Sequence, residues 1–353
     1  MGVKARHHGS RSRFLWRLLA VQVIVSLLAG ACAPWSSKGP IRLLYPLGAA
    51  SATPSPTWAP TITPTPTGTV SPTATMTPRP TETPTPTPMP LAVTVRLDGA
   101  QVAQGHTVVV RVSTSQSCRL SGQILERELG FVPLDGHAHV AFLGVAADAE
   151  VGPQLLRVTA RAEGGQQAEL VTALEVVAGD YGSQTLHLSA KIARLLAPEI
   201  AEPELRRLAP IYATFTPHML WDGPFDWPIK GPVTSGFGTR RSYSATLRSY
   251  HTGMDIDGET GDIIRAPARG VVRLAEALQV RGNAVILDHG AGVLSGYYHL
   301  SEIQVRLGQV VERGQVLGAM GGTGLATGSH LHWELRVGGI PVQPIEWTER
   351  SFP

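Results

Sequence analysis

Cysteine is scarce in this chain of 353 residues, which contains only Cys32 and Cys118. A closed structural zinc site usually relies on thiolate ligands, so the lack of cysteine beyond Cys118 argues against such a site in the C-terminal half. If Cys32 carries a lipid, an intramolecular disulfide is excluded as well. Cys118 lies in a stretch with a strand pattern, and we predict a small buried hydrophobe there rather than a reactive thiol.

Charged side chains make up only 16% of the sequence, and the formal net charge is +3. This balance gives no support to nucleic-acid binding. With 43% hydrophobic residues the chain is neither globally disordered nor a polytopic membrane protein, and its length suits two or three domains. The stretch Gly321–Gly324 lacks the Lys-Ser/Thr that follows in a phosphate-binding loop, so no nucleotide is expected.

The first 31 residues have the features of a secretion signal. Basic side chains precede the apolar run Leu18–Leu28, which is shorter than a membrane span, and the small residues Ala29-Gly30-Ala31 follow. The basic residues are Lys4, Arg6, Arg11, Arg13 and Arg17. We predict a signal peptide over residues 1–31, whose removal takes away five positive charges and leaves a net charge of −2.

Cys32 follows directly after Leu28-Ala29-Gly30-Ala31, a stretch that resembles the lipobox of bacterial lipoproteins. The resemblance implies that Cys32 is lipidated and becomes the new N-terminus, although Ala29 stands where leucine is most common. Several acyl chains hold a protein stably on a membrane, since each buried CH₂ contributes about 0.8 kcal/mol. We expect an exported envelope protein, lipid-anchored to the outer face of the cytoplasmic membrane. Secretion after Ala31, or an uncleaved signal anchor, is the alternative.

Residues 32–90 are predicted to form a disordered linker, because from Ala52 to Pro90 the composition narrows to proline and threonine. Such a tract cannot bury enough apolar surface to fold, and its prolines favour extended polyproline II. At about 3.1 Å per residue it would reach on the order of 100 Å. It is either a stalk that lifts the rest of the chain from a membrane into the wall, or a plain spacer.

Residues 91–178 show the alternation typical of β-strands, and we predict that the chain is mainly β. The run Val93–Leu97 alternates apolar and polar residues, and turns with glycine separate it from later runs. The size suits a small antiparallel β-sandwich, which we predict to be Ig-like from pattern alone. This domain is either a spacer that packs against the rest or a binder of wall polymer. His137 and His139 are predicted to lie on a solvated strand near a turn.

Residues 179–214 change to a helical period and are predicted to form a short helical connector. Leu188 and Leu195 fall at helical spacing, Pro198 is expected to interrupt the helix, and Pro203 is expected to open a second one. The connector either joins two domains or packs over a groove of the next domain as an inhibitory segment.

Three motifs with histidine mark residues 215–353, the last predicted domain. They are His251-x-x-x-Asp255, Tyr297-Tyr298-His299-Leu300 and His330-Leu331-His332. If the third motif lies on a β-strand, His330 and His332 point to the same face and reach one pocket. Histidine and aspartate suit zinc, and a catalytic zinc keeps three protein ligands plus an open position. Five candidate groups exceed that need, so two are available for acid-base chemistry.

Residues 225–347 resemble the lysostaphin/LytM-type zinc metallopeptidases of the M23 family, which cut peptide bonds in bacterial peptidoglycan. The resemblance rests on the three motifs in this order and on the stretch from Gly282 to Gly290. It implies a glycine-rich antiparallel β domain, with the site in a groove and one zinc ion per chain. The zinc ligands that it implies are His251, Asp255 and His332, and the catalytic residues are His299 and His330.

The same resemblance implies substrate contacts for Asn283 and Tyr297. His289 matches a family position at a strand end that is not a ligand position, so we expect a structural role for it. The segment Gly238–Tyr250 contains Arg241 and Tyr243 and is predicted to form a groove wall that meets a muropeptide carboxylate.

The sequence therefore predicts a zinc-dependent metalloendopeptidase that cleaves peptide cross-links or stem peptides of peptidoglycan. The alternative is a catalytically silent cell-wall binding protein that activates a separate peptidoglycan hydrolase. Silent relatives typically lack one or more metal or catalytic residues, and all five are present here, which favours the enzyme. Carboxypeptidase activity stays open within the enzyme class.

Overall fold

The computed structural model describes residues 89–243 and 248–353, and β-strands are its main element, so the prediction of a mainly β chain is confirmed. The predicted signal peptide, the lipidated Cys32 and nearly all of the Pro/Thr tract lie outside the described residues. Within the part of the chain that is described, no helix is long and apolar enough to cross a bilayer.

Nine strands in the first part of the chain form two sheets. They are β1 (Val93–Leu97), β2 (Gln101–Ala103), β3 (Thr107–Thr114), β4 (Cys118–Ile124), β5 (Arg127–Leu129), β6 (Val132–Pro133), β7 (Ala138–Gly144), β8 (Gly152–Ala162) and β9 (Gln167–Val177). The strand orders are β1-β3-β7-β6 and β2-β9-β8-β4-β5. Alternate side chains such as Val110 of β3 and Val158 of β8 meet in one core between the sheets. This is a β-sandwich, while the Ig-like assignment stays a prediction.

The outer face of the sheet that contains β3 and β7 is also buried. Val109 and Phe142 point away from the sandwich core and pack into an aromatic cluster with Trp221, Phe225 and Trp347 from the C-terminal part of the chain. The ring of Phe142 lies 5.4 Å from that of Trp221 and 6.0 Å from that of Trp347. The sandwich and the C-terminal part therefore share a core, and residues 90–353 form one compact unit.

The structure corrects one expectation for the sandwich and refines another. His139 lies on β7 and is only 9% exposed, so the predicted solvated pair His137 and His139 is wrong for the second residue. Only His137, in the turn before β7, is exposed. Cys118 opens β4 as predicted but is half-buried rather than fully buried.

The remaining described residues, 178–243 and 248–353, add fourteen strands, three α-helices and one 3₁₀ helix. The strands are β10 (Ser183–Thr185), β11 (Val233–Ser235), β12 (Arg240–Ser242), β13 (Arg248–Tyr250), β14 (Met254–Asp257), β15 (Ile263–Arg265), β16 (Gly270–Ala277), β17 (Asn283–Gly290), β18 (Val293–Leu300), β19 (Glu302–Ile303), β20 (Val310–Val311), β21 (Val316–Ala319), β22 (His330–Val337) and β23 (Ile340–Val342). The helices are α1 (Ala190–Ala193), a 3₁₀ helix (Arg194–Leu196), α2 (Pro198–Tyr212) and α3 (Pro344–Glu349).

The main sheet of this part has the order β11-β14-β22-β18-β17-β16-β20, with β23 beside β22. Its neighbouring strands are antiparallel, as the glycine-rich sequence predicts. One face carries Leu331 and Trp333 of β22, which pack with Met254 and Ile256 of β14. The other face carries His330 and His332, because side chains alternate along a strand. Two smaller sheets, β10-β12-β13 and β15-β21-β19, flank the main one.

The connector is helical, but its second helix begins earlier than expected. Pro198 is the first residue of α2 rather than an interruption, since proline at this position loses no intrahelical hydrogen bond. Pro203 therefore lies inside the helix. The buried residues of α2 are Glu204, Leu208 and Tyr212, and the last two pack with Leu294 and Tyr298 on the histidine face of the main sheet.

Trp347 of α3 holds the shared core together, and we expect its loss to destabilise the whole compact unit. It is 1% exposed, stacks on Phe352 and donates from Nε1 to Thr107 Oγ1 at 3.1 Å. Trp347→Ala should lower the free energy of unfolding by about 3–5 kcal/mol, measured by urea denaturation. Leu307→Ala removes a side chain that is 70% exposed and should cost no more than about 0.5 kcal/mol. Equal losses in the two variants, or separate unfolding of the sandwich, would contradict a shared core.

His289 is a buried neutral histidine, as the structural role expected for it requires. Its Nδ1 lies 2.8 Å from Arg269 O and its Nε2 lies 2.7 Å from Ser295 Oγ, on a ring that is 0% exposed. Burial lowers the pKa of His289 from 6.5 to about 4.

Between pH 6.5 and about 4, His289 is protonated in the unfolded chain but stays neutral in the folded chain. The free energy of unfolding should therefore fall as the pH drops through this range. Each group of this kind contributes a slope of at most about 1.4 kcal/mol per pH unit. We expect His289→Gln to flatten the pH dependence of the unfolding free energy in this window, measured by urea denaturation at several pH values. The matched control is His218→Gln, the same substitution at an exposed position. A wild-type slope in His289→Gln would show that this ring does not titrate as described.

Candidate metal centre

Three of the predicted ligand atoms converge at the end of the pair formed by β14 and β22. Asp255 stands opposite His332 in the register of these strands, and His251 lies just before β14. His251 Nε2 lies 2.9 Å from His332 Nδ1 and 3.0 Å from Asp255 Oδ1. His332 Nδ1 lies 2.9 Å from Asp255 Oδ1. In the described ranges this trio is a cluster of His and Asp able to hold one ion.

The triangle of ligand atoms fits a zinc ion. A tetrahedral zinc with bonds of about 2.0–2.1 Å keeps its ligands about 3.3 Å apart, slightly more than the separations found here. The tautomer of His251 also fits, because its Nδ1 lies 3.0 Å from Gly236 O and donates its hydrogen there. Nε2 is then unprotonated and presents its lone pair to the ion.

Burial tunes the charges of the trio for metal binding. Burial lowers the pKa of His251 to about 4, so its ring is neutral at neutral pH. Burial alone would raise the pKa of Asp255, but the neighbouring rings of His251 and His332 outweigh it and hold the pKa well below its usual range. The carboxylate also accepts from Arg241 Nη2 at 2.6 Å through Oδ2, which leaves Oδ1 facing the two rings. Arg241 thus orients a ligand rather than contacting only solvent.

The two histidines expected to be catalytic lie beside this trio. The ring centroids of His299 and His330 are 4.9 Å apart, and His330 Nε2 lies 3.8 Å from Asp255 Oδ1. His299 Nδ1 is 2.8 Å from Thr323 O, and His330 Nδ1 is 3.0 Å from Gly328 O. Main-chain carbonyls therefore fix both tautomers with the hydrogen on Nδ1. In each ring Nε2 is the nitrogen that no main-chain carbonyl occupies, so it is the atom available for proton transfer.

His299 has an uncommon backbone conformation. Its φ is 63°, a left-handed value that costs a residue other than glycine about 1–3 kcal/mol. Strict alternation along β18 would place His299 on the core face with Tyr297, and this left-handed residue breaks the alternation at the strand end. Burial, and then the neighbouring rings of His332 and His330, lower the pKa of His299 to about 3.

A groove of about 340 Å³ lies along the site. Asp255 and His330 line it, one side comes from Leu186 and Leu188 of the connector, and the loop 325–329 also lines it. The connector segment expected either to join domains or to inhibit thus runs beside the groove.

Arg241 and Tyr243 line the groove as the predicted wall requires. Arg240, from the same predicted wall, instead donates to Ala147 O of the sandwich at 2.8 Å. Only part of the segment Gly238–Tyr250 therefore faces the groove.

The two predicted substrate contacts are not supported. Tyr297 is wrong, because its side chain is 0% exposed and its hydroxyl lies 2.7 Å from Ser295 Oγ inside the core. Asn283 does not line the groove in the described part of the chain, and its Nδ2 donates to Leu300 O at 3.0 Å and to Ser301 O at 3.2 Å. Its amide braces the chain that follows His299.

Sequence reasoning missed two polar residues behind the site. Glu334 is 1% exposed, and its Oε2 lies 4.0 Å from His332 Nε2. Arg336 pairs with it, and the attraction of Arg336 and Arg281 outweighs the effect of burial and lowers the pKa of Glu334. The alternation that placed His330 and His332 on one face extends to residues 334 and 336, so the signal was present in the sequence.

The C-terminal part of the chain is similar in sequence to known proteins. Residues 249–344 match the sequence profile of Peptidase family M23. The peptidoglycan DD-endopeptidase ShyA of Vibrio cholerae is 39% identical over 118 residues, which make up 33% of this chain and 27% of ShyA. The murein hydrolase activator NlpD of Escherichia coli is 36% identical over 135 residues, or 38% of this chain and 32% of NlpD. The chain thus matches less than a third of the length of either relative.

Structural similarity to a known protein covers more of the chain than the sequence similarity does. A crystal structure of a Pseudomonas aeruginosa protein assigned to peptidase M23 superposes with a TM-score of 0.53 at 28% sequence identity. The superposition covers 71% of this chain and 96% of the other, well beyond residues 249–344. The resemblance found in the ordered histidine motifs is confirmed: the C-terminal part of this chain is a domain of Peptidase family M23.

Proposed function

We propose that this protein is a zinc-dependent metalloendopeptidase that cleaves peptide cross-links or stem peptides of bacterial peptidoglycan. One observation carries the proposal: the ligand atoms of His251, Asp255 and His332 form a triangle of the size that zinc requires, and the rings of His299 and His330 lie beside it with Nδ1 held by main-chain carbonyls. The similarity to ShyA, named as a peptidoglycan DD-endopeptidase, supports the substrate class.

Zinc held by the trio would lower the pKa of a water molecule to about 7 and polarise the scissile carbonyl. His299 and His330 supply the proton transfers. The Nε2 of one ring takes a proton from the attacking water and then passes it to the leaving amine, while the other ring, when protonated at Nε2, hydrogen-bonds the oxyanion. Both rings are fixed by main-chain carbonyls, so no side chain has to reorient during the reaction.

The groove suits a peptide substrate. Its lining includes the apolar residues Leu186 and Leu188 of the connector and Leu325 of the loop 325–329, together with the polar residues Asp255 and His330. The scissile bond of a peptide bound in this groove would lie near His330 and Asp255.

The second candidate is an activator of a separate hydrolase, and the similarity to NlpD, named as a murein hydrolase activator, favours it. Such a protein would use the groove for binding alone. The joint presence of five metal and catalytic groups in one site weighs toward the enzyme, since a binder needs no pair of histidines poised for proton transfer.

We propose that the protein acts in the cell envelope and that a lipid on Cys32 anchors it to the membrane. The support is the sequence alone: a basic stretch, a short apolar run and small residues directly before Cys32. Peptidoglycan would then lie within reach of the Pro/Thr tract.

The site predicts a separation between metal binding and cleavage. Wild-type protein should hold one zinc ion and release muropeptides from purified peptidoglycan. His251→Ala removes a ligand and should lose both zinc and cleavage. His330→Ala and His299→Ala should keep zinc and lower the cleavage rate on the order of 10²-fold or more, because general acid-base catalysis contributes that much. Zinc is measured by elemental analysis and cleavage by chromatography of the released fragments.

His218→Ala serves as the matched control, since it removes an exposed histidine that does not line the groove. It should match the wild type in zinc content and rate. If wild-type protein holds zinc but releases nothing, while it accelerates a separate hydrolase on the same peptidoglycan, the enzyme is rejected and the activator takes its place.

A further inference from the structure

Glu204 of α2 lies far from the metal ligands in sequence, yet it is joined to His299 by a short series of contacts. We propose that Glu204 is a positioning residue for His299, which it holds through the turn at residues 279–282. The inference rests on the proposed function for the role of His299. It adds a residue from outside the segment 249–344 that matches the M23 profile.

The buried carboxylate of Glu204 binds the turn at residues 279–282. Glu204 is 7% exposed, and its Oε2 accepts from the main-chain N–H of Val280 at 2.7 Å. Its Oε1 accepts from the main-chain N–H of Arg281 at 3.2 Å and from Arg281 Nη1 at 3.0 Å. A buried carboxylate is costly unless its oxygens are satisfied, so these bonds fix the turn against the helix. Two of them are to the main chain and therefore set the path of the backbone.

The turn is hydrogen-bonded to His299. Arg281 O accepts from His299 N at 2.9 Å, and Val280 O accepts from Leu325 N at 2.7 Å. The loop that holds Leu325 also holds Thr323, whose carbonyl accepts from His299 Nδ1. The turn thus holds the backbone of His299 directly and its ring through the loop.

Close packing makes these two supports move together. Gly282 has a φ of +66°, and a Cβ added there would lie 2.2 Å from Thr323 Oγ1. Gly324 faces the turn in the same way, since its added Cβ would lie 2.4 Å from Gly282 N. A shift of the turn therefore displaces the loop as well.

His299 needs such support more than the metal ligands do. His332 lies within β22 and has ladder partners on both sides, Asp255 of β14 and Tyr298 of β18. Tyr298 is the last residue of β18 that pairs with β22, and His299 follows it in the left-handed conformation. A strained residue at a strand end keeps its conformation only where its surroundings impose it. Release of the turn should therefore disturb His299 and spare the zinc ligands.

The test compares Glu204→Ala and Glu204→Gln with Glu202→Gln in the purified full chain. Glu202 is the matched control, because it lies on the same helix with its side chain 39% exposed and paired only with Arg206 in the described region. Each protein is assayed for zinc content, for kcat and KM on peptidoglycan fragments, and for thermal unfolding. Spectra of protein with ¹⁵N-labelled histidine report the Nδ1–H of His299, and buried His289 serves as an internal reference.

We expect Glu204→Ala to lower kcat at least about tenfold, as a misplaced catalytic group does, with KM and zinc content close to the wild type. The Nδ1–H signal of His299 should shift or broaden, while that of His289 stays in place. Glu204→Gln keeps one acceptor oxygen and should fall between the wild type and Glu204→Ala. Glu202→Gln should behave as the wild type. If Glu204→Ala does not fold, the inference is tested by kcat and by the His299 Nδ1–H signal of Glu204→Gln, which should both change by less than is expected for Glu204→Ala.

An unchanged kcat together with an unchanged His299 signal in the folded Glu204 variants would overturn the inference. A loss of kcat that comes with loss of zinc would also overturn it, since Glu204 would then support the fold in general. If the wild type itself cleaves nothing, the proposed function fails separately, and the His299 signal alone decides whether Glu204 positions the ring.

Discussion

The pairing of β14 with β22 is the constraint on which the site depends. It sets Asp255 opposite His332 and, on the other face of the sheet, buries Ile256 and Leu331 in the core. A slip of one residue between the two strands would turn over the side chains of one of them, so that its ligand faced the core and its apolar residue was exposed; the core thus enforces the register that the candidate metal centre requires. The forces that fold the sheet therefore also bring Asp255 and His332 together.

The two faces of the main sheet have different partners. One face is closed by the apolar core and by the aromatic cluster that joins the sandwich. The other face carries the site at one end, and α2 covers the remainder through Leu208 and Tyr212. The sandwich is thus a fixed part of the folded unit. A role as a freely moving wall-binding module does not suit a sheet that is buried on both sides.

The sequence predicted the structure correctly where residues alternate along a strand or where motifs occur in a characteristic order. The alternation of β22 predicts that His330 and His332 share a face, and the ordered motifs predict which five residues meet. It failed for Tyr297, because the left-handed backbone of His299 breaks the alternation and leaves the tyrosine in the core. It also failed for Pro198, where proline is compatible with the first turn of a helix. The second buried face of the sandwich could not be foreseen, since Phe142 in a strand looks the same whichever sheet face it occupies.

The contribution of the connector to the groove bears on how such proteins can be recombined. β10 pairs in parallel with β12, and Leu186 and Leu188 just beyond it line the groove, although all of β10 precedes the segment that matches the M23 profile. A chimera joined at residue 249 would carry all three candidate metal ligands from one parent, yet it would take Leu186 and Leu188, which line the groove, from the other. The natural crossover point for exchanging whole specificities lies before Ser183, upstream of the boundary that the profile alone suggests.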